Sequence, residues 1–346
     1  MRILSLTGGG VRGLIPSIIL HRLEQITGKH PTELFDLIVG TSTGAMIACV
    51  LTVPTPSDPK KPKYGTERLI DVYLKESKFT FENSMWKNLT TIYGIYGPRY
   101  YTKNRDDKFN EWIGETRLKD TVVDVLIPSY DMTTREPYIF KTRKAQRDPE
   151  KEDFLMTDVV KAATSAPTIF PPHLINGHLY LDALHAKNPT MIALVEALTH
   201  YDAKPEDVFI LSIGTGYSSN EYQDHKKIIQ SGPAFLVEVV NSIINSNTVG
   251  TTYMVNKLLP NKDQCLYLDI ELDDANMGIT DISQANLDLI EKKATDFINE
   301  NEDVLFSFAQ KLDPSLTTKK EYKNDTSLTT KKDTNVDTNN PTTKQP

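Results

Sequence analysis

The chain has 346 residues, and its 46 acidic and 39 basic side chains give a formal net charge of −7. This length is enough for one large domain or two smaller ones, and the charge excludes a globally basic nucleic-acid-binding surface. The two cysteines, Cys49 and Cys265, exclude a disulfide framework. Without a leader-type segment or an apolar run of about 18 residues, we expect a cytoplasmic protein with only peripheral membrane contact; signal-independent export is equally compatible.

The first predicted elements are a buried strand over residues 2–6 and a helix in which apolar residues recur at helical spacing from Ile15. Residues 8–13 between them read GGGVRG and allow two interpretations. One is a dinucleotide-binding turn, for which Asp36 would be the ribose-binding acid. The other is an oxyanion hole made of backbone N–H groups. We favour the second, because Asp36 lies at the start of the next strand and not at its end.

The next strand, over residues 37–39, runs into Gly40-Thr41-Ser42-Thr43-Gly44 and then into an apolar helix over residues 45–51. A serine between two glycines at a strand-to-helix turn matches the nucleophile elbow, where glycines allow the sharp reversal. The pattern therefore predicts that Ser42 is an exposed nucleophile at the positive end of a helix, on the same sheet edge as residues 8–13.

Two segments of the middle region have competing interpretations. The aromatic-rich stretch over residues 79–101 is expected to cover the core; the alternative is a mobile apolar cover that contacts lipid through Met85, Trp86, Ile92, Tyr93, Ile95 and Tyr96. Four basic residues are expected in a solvated loop and not in a phosphate site: Lys141, Arg143, Lys144 and Arg147.

The remaining elements alternate between strands and helices. We expect a surface loop over 53–65, helices over 67–75, 191–200, 234–259 and 283–312, a helix ending at 166, and strands over 122–130, 138–141, 179–181, 208–213 and 264–272. This alternation predicts an α/β fold with a mainly parallel sheet covered on both faces. One domain is predicted over 1–312, followed by a disordered Thr-, Lys- and Asn-rich tail over 313–346.

Ser42 requires a base, and two candidates remain from the residues alone. His225 would complete a Ser-His-Asp triad, whereas Asp182, delivered by the short strand over 179–181, would complete a dyad. Metal sites are not expected: His173, His178 and His185 lack zinc-site spacing, and Asp269, Glu271, Asp273 and Asp274 resemble a calcium loop only loosely. We therefore expect an enzyme that needs no metal and no other cofactor.

Taken together, these motifs resemble the patatin-like phospholipase family. The matching segments are Gly8-Gly9-Gly10-Val11-Arg12-Gly13, Gly40-Thr41-Ser42-Thr43-Gly44, Gly97-Pro98-Arg99-Tyr100, Ala163-Thr164-Ser165-Ala166-Pro167-Thr168, Phe170-Pro171-Pro172, Asp182 and Ile213-Gly214-Thr215-Gly216. The resemblance covers roughly residues 1–300, and several ordered motifs are more specific than either glycine motif alone.

The resemblance implies a three-layer α/β/α fold and a lipid acyl hydrolase of the phospholipase A or lysophospholipase type. It implies a Ser-Asp dyad without a catalytic histidine, in which Ser42 is the nucleophile of an acyl-enzyme mechanism and Asp182 is the base. The implied oxyanion hole is built from the loop residues Gly8, Gly9, Gly10, Arg12 and Gly13, and the elbow glycines are Gly40 and Gly44. The expected substrate is a phospholipid or another acyl lipid, and the need for an activating partner stays open.

Two positions depart from the family pattern. Asp182 is followed by Ala183, where the family usually has glycine, so a positive φ at this position would strain the backbone. Thr7 stands where many patatins have aspartate, which is a milder change because an oxyanion hole uses main-chain groups. Ala183 motivates an alternative function, a catalytically silent lipid-binding or interaction module; a dinucleotide-binding protein is the other alternative.

Overall fold

The computed structural model describes residues 1–80, 99–219, 234–273 and 278–317. Its strands are β1 (Arg2–Leu6), β2 (Leu37–Gly40), β3 (Pro54–Thr55), β4 (Asp58–Pro62), β5 (Asp124–Asp131), β6 (Glu136–Lys141), β7 (His173–Ile175), β8 (His178–Asp182), β9 (Phe209–Ile213) and β10 (Cys265–Leu268). Outside the described residues lie the segments 81–98, 220–233, 274–277 and 318–346. They contain most of the aromatic-rich stretch over 79–101, His225, Asp274 and most of the predicted tail.

The α-helices among the described residues vary from single turns to 25 residues. They are α1 (Leu14–Thr27), α2 (Pro31–Leu34), α3 (Thr43–Thr52), α4 (Glu67–Asp71), α5 (Ser77–Thr80), α6 (Lys103–Ile113), α7 (Thr142–Arg147), α8 (Pro149–Glu152), α9 (Met156–Ala163), α10 (Thr190–His200), α11 (Ala234–Leu258), α12 (Gln284–Glu300) and α13 (Glu302–Leu312). Helix α4 continues through a π-helical turn, Val72–Glu76, into α5. Of the described helices, none combines the length and apolarity that spanning a membrane requires.

The main sheet is mostly parallel, with an antiparallel region at one side. Its strand order is β10-β9-β1-β2-β5-β8-β7, and β6 pairs with residues 126–131 of β5. The five strands β10, β9, β1, β2 and β5 are parallel, whereas β6, β7 and β8 run antiparallel to their neighbours. The carboxyl ends of β1 and β2 therefore meet at one edge, as the sequence predicts.

Alternate residues of the central strands fill two separate cores, one on each face of the sheet. Leu4 and Ile38 pack into the larger core with α1, α3, α9, α12 and α13. Ile3 and Leu37 point to the other face and pack with α10 and the end of α11. Because side chains alternate across a strand, continuous apolar strands such as β1 supply both cores. The result is the three-layer α/β/α arrangement expected from the sequence.

Three element predictions are corrected by the structure. Residues 54–62, expected in a loop, form the hairpin of β3 and β4. The last predicted strand is shorter than expected, ending at Leu268. The expected final helix is two helices that meet at Asn301, whose side chain donates from Nδ2 to the carbonyl of Phe297 at 2.8 Å. The backbone of Asn301, with φ −113° and ψ 16°, leaves the helical conformation there, and its side chain caps the end of α12.

The basic residues around 141–147 also differ from the prediction of a loop. They begin at the end of β6 and continue through α7, and two of the four form ion pairs within the described part of the chain. Lys141 pairs with Glu196 at 2.5 Å, and Lys144 pairs with Glu152 at 2.5 Å. The prediction that they form no phosphate site stays a prediction.

The first residues of the predicted tail contact the domain. Lys29 forms an ion pair with Asp313 at 2.7 Å, and Leu316 packs against the larger core. Asp313 and Leu316 therefore belong to the folded domain, although both lie beyond the predicted boundary at residue 312.

Candidate active site

Ser42 occupies a strained turn between β2 and α3. Its φ of 56° and ψ of −120° lie in a region that non-glycine residues rarely adopt. The turn is also tightly packed: a Cβ on Gly40 would lie 2.2 Å from the Gly44 carbonyl oxygen, and a Cβ on Gly44 would lie 2.3 Å from that of Leu6. Both positions thus require glycine, and the geometry is that of a nucleophile elbow.

Asp182 is the last residue of β8 and is almost completely buried. Its backbone is fixed on both sides, because its N–H donates to the Ser165 carbonyl at 3.1 Å and it lies opposite Ser129 of β5. Burial raises the pKa of Asp182 to about 7, and a hydrogen bond from the Ser42 hydroxyl opposes this rise. Apart from this interaction, which falls short of ordinary bonding geometry, neither carboxylate oxygen has a hydrogen-bond partner in the part of the chain that the structure describes.

Ala183 does not strain the backbone after Asp182. Its φ is −78°, so the position does not require glycine, and the side chain is fully buried. Nearby, the Lys187 carbonyl accepts a hydrogen bond from the Gly8 N–H at 3.1 Å. This bond ties the segment that follows Asp182 to the glycine loop after β1.

Two side chains orient the peptide planes of the glycine loop. The Thr215 hydroxyl donates to the Gly8 carbonyl at 2.7 Å, and Arg12 Nε donates to the Gly9 carbonyl at 3.4 Å. A trans peptide directs its N–H opposite to its carbonyl, so the N–H groups of Gly9 and Gly10 point away from these donors. Neither N–H group has an acceptor among the described residues.

In the loop predicted as an oxyanion hole, two backbone N–H groups, those of Gly9 and Gly10, are candidates for binding an oxyanion. The N–H of Gly8 donates to Lys187 and that of Arg12 donates to the Gly9 carbonyl at 3.3 Å, so both are already used. Gly13 lies inside the short helical turn Gly10–Gly13. Gly9 and Gly10 are tightly packed, since added Cβ atoms would lie 2.2 Å from Thr215 Oγ1 and 2.0 Å from the Ile279 carbonyl oxygen.

Arg12 stabilises this loop from its buried side. Besides Gly9, its guanidinium donates to the Gly216 carbonyl at 3.3 Å. Burial lowers the pKa of Arg12 to about 10, and the nearby Asp269 carboxylate opposes the shift. The group remains charged at neutral pH, so it adds positive potential behind the loop.

A mainly apolar cavity opens beside Ser42. Its lining is Gly10, Ser42, Thr43, Met46, Val72, Tyr73, Ser77, Arg105, Phe109, Thr164, Ala166, Ile169, Phe170, Ile279 and Thr280. The serine and one loop glycine thus face the same space. Its apolar walls suit an acyl chain.

The other residues considered from the sequence lie elsewhere. Asp36 pairs with Arg2 at 2.6 Å at the amino ends of the strands, so it is not beside the glycine loop, as a dinucleotide site requires. His173 pairs with Asp158 at 3.0 Å and His178 with Asp131 at 2.7 Å. Within the described ranges, no three His, Cys, Asp or Glu side chains are grouped to hold a metal ion.

Three residues of the site were not singled out from the sequence. Thr43 begins α3, so its N–H lacks an intrahelical acceptor and lies next to Ser42 as a further donor. Thr215 orients the loop, and Arg105 lines the cavity from α6. Thr43 was predictable from its position after the serine, whereas the other two are remote in sequence and give no local signal.

The fold and the site define an α/β protein with a serine on a strand–turn–helix elbow beside a buried carboxyl group. A family profile described as Patatin-like phospholipase matches residues 4–194, and the chain belongs to this family.

Similar proteins span much of the chain. Patatin-like protein 4 from Arabidopsis thaliana is 32% identical over 248 residues, covering 63% of this chain and 60% of the relative. Patatin-07 from Solanum tuberosum is 28% identical over 327 residues, covering 83% and 81%. The solved structure of VipD from Legionella pneumophila has a TM-score of 0.44 at 12% identity and covers 86% of this chain and 66% of that one.

Proposed function

We propose that this protein is a serine lipid acyl hydrolase of the phospholipase A or lysophospholipase type that uses a Ser42–Asp182 dyad. The observation that carries the proposal is the isolated carboxyl group of Asp182, buried with a pKa of about 7 and with the Ser42 hydroxyl as its partner. A base poised near neutral pH next to a strained, cavity-lining serine is the arrangement that nucleophilic catalysis requires. Family membership supports the coarser activity, carboxylic ester hydrolysis of acyl lipids.

In the proposed reaction, Asp182 accepts the proton of the Ser42 hydroxyl while Oγ attacks the ester carbonyl carbon. The carbonyl oxygen becomes an oxyanion, which the N–H groups of Gly9, Gly10 and Thr43 stabilise. As the C–O bond to the alcohol breaks, Asp182 returns its proton to the leaving oxygen and the acyl group stays on Ser42. A water molecule, deprotonated by Asp182, then attacks the acyl-enzyme, and Asp182 returns this proton to Ser42 Oγ as the fatty acid leaves.

The remaining parts of the proposal concern the substrate, the membrane and a protein partner. The acyl chain of a phospholipid or another acyl lipid would occupy the apolar cavity. Contact with the membrane surface would be peripheral, and an activating partner remains compatible with the site. A catalytically silent module is less favoured, because the negative φ of Ala183 removes the strain that motivated it.

Labelling with a fluorophosphonate probe tests the nucleophile. We expect the wild-type protein to be labelled at Ser42 and Ser42→Ala to be unlabelled. Asp182→Asn, which keeps the volume and removes the basic carboxylate, should lower turnover of a short soluble ester by several orders of magnitude. Circular dichroism of both variants checks the fold. Wild-type protein that is folded and unlabelled, or an Asp182→Asn variant with full activity, would contradict the proposal.

A further inference from the structure

Arg105 is a buried cation in the wall of the cavity that Ser42 lines. It belongs to α6, and its side chain is only 1% exposed. The guanidinium lies over the ring of Phe170 at 4.4 Å and near that of Phe109 at 5.7 Å. A charged group in such apolar surroundings is costly unless it is paired, so its partners are informative.

Only one side of the guanidinium is paired. Nε and Nη2 both approach Asp106 Oδ1 at 2.9 Å. Nη1 is buried and has no hydrogen-bond partner among the described residues. Burial lowers the pKa of Arg105 while Asp106 raises it, and an arginine stays protonated at neutral pH. Arg105 therefore brings to the cavity lining a guanidinium with one buried donor that has no partner within the described ranges of the chain.

We propose that Arg105 binds the phosphate group of a phospholipid substrate and makes the enzyme prefer phosphate-bearing acyl esters to neutral ones. This inference rests on the proposed function, because it assumes that Ser42 cleaves an ester in the same cavity.

The chemistry of the substrate favours phosphate. In a glycerophospholipid the phosphate and the acyl esters are attached to one glycerol, so an ester at Ser42 brings the phosphate into the same site. A guanidinium suits phosphate oxygens because its donors lie in a planar fork. A neutral lipid offers no phosphate oxygen to Nη1. The buried donor would then stay unpaired, which weakens the binding of that lipid. The aromatic rings beside Arg105 exclude the water that would otherwise solvate it.

The test compares two lipids with the same acyl chains, dioleoylphosphatidylglycerol and dioleoylglycerol, in mixed micelles of one neutral detergent. The measured quantity is the ratio of kcat/KM for the phospholipid to that for the neutral lipid. We expect Arg105→Gln to lower this ratio about 10- to 100-fold, the range for loss of a charged hydrogen bond. Arg105→Lys keeps the charge but loses the fork, so it should lower the ratio less and serves if the glutamine variant does not fold.

Asp106→Asn is the matched control, because it removes the ion pair but leaves the guanidinium. If Arg105 binds phosphate, this variant should keep the preference of the wild type. If the ion pair is only structural, Asp106→Asn and Arg105→Gln should behave alike, and that result would overturn the inference. An equal loss on both lipids in Arg105→Gln would also overturn it.

Two further arms separate the remaining explanations. Inorganic phosphate is added to the dioleoylglycerol reaction, and we expect no Arg105-dependent inhibition; such inhibition would mean a site for free phosphate and not for a headgroup. Fluorophosphonate labelling is measured in parallel. Labelled wild type that lacks a phosphate preference overturns this inference alone, whereas folded wild type that is unlabelled and hydrolyses neither lipid overturns the proposed function.

Discussion

At the residue scale, the ionisation of Asp182 sets the pH range in which the proposed dyad works. Burial disfavours the charged carboxylate, so its pKa rises from 3.8 to about 7 even though the Ser42 hydroxyl favours the ionised form. Only the carboxylate accepts the serine proton. We therefore expect kcat/KM for a short soluble ester to fall about tenfold per pH unit below 7 and to level off above it.

A pH profile of initial rates checks this expectation, with circular dichroism at each pH to exclude unfolding. A half-maximal rate near pH 4 would contradict it, because an ordinary aspartate titrates there. A histidine base would titrate near 6.5, so the profile is repeated on His225→Ala. The dyad predicts an unchanged profile for that variant, whereas a triad predicts loss of activity.

The sequence identified those candidate site residues that belong to local motifs. Ser42 was predictable because two glycines and a strand-to-helix change surround it, and the structure gives it the positive φ that the elbow requires. Asp182 was one of two candidate bases from the residues alone, and the resemblance favoured it over His225. Arg105 was missed because the feature that distinguishes it, an unpaired buried Nη1, depends on packing of distant segments. Burial and partner choice are properties of the fold and not of a motif.

At the element scale, the proposed oxyanion hole depends on contacts from the neighbouring strand ends, which fix the orientation of the peptide planes in the glycine loop. Thr215, just after β9, fixes the Gly8 carbonyl at 2.7 Å. Thr215→Val keeps the shape but removes the hydroxyl, so the Gly9 N–H should lose its orientation. We expect kcat for a soluble ester to fall about tenfold with KM nearly unchanged, a smaller loss than removing an oxyanion donor outright.

Steady-state kinetics check this prediction, with Thr215→Ser as the control because serine retains the hydroxyl. The serine variant should keep most of the wild-type kcat. A higher KM with unchanged kcat in Thr215→Val would mean that Thr215 affects binding and does not orient the oxyanion donors.

Most elements were predictable, and the errors have identifiable physical causes. The parallel strands are continuous apolar runs, and their alternating burial into two cores explains why the pattern was strong. The hairpin over 54–62 was missed because its exposed, Pro- and Lys-rich strands lack apolar alternation. The break at Asn301 was missed because the apolar spacing continues through it, although the backbone of this residue is not helical.

At the scale of the whole molecule, the residues that directly follow α13 contact the amino-terminal part of the domain. Asp313 pairs with Lys29 near the end of α1, and Leu316 packs on the larger core. The sequence placed these two residues outside the domain, because their anchoring depends on tertiary contacts and gives no local signal.

Two truncations test where the domain ends. Removal of residues 318–346 should leave the melting temperature and the hydrolysis of a soluble ester unchanged, because no apolar core is lost. Removal of residues 313–346 also deletes the Lys29–Asp313 pair and the packed Leu316, so the melting temperature should fall by about 2 °C or more. Calorimetry measures both. A comparable fall for the shorter truncation would show that the tail contributes to the folded domain, and no fall for the longer one would place the boundary at α13.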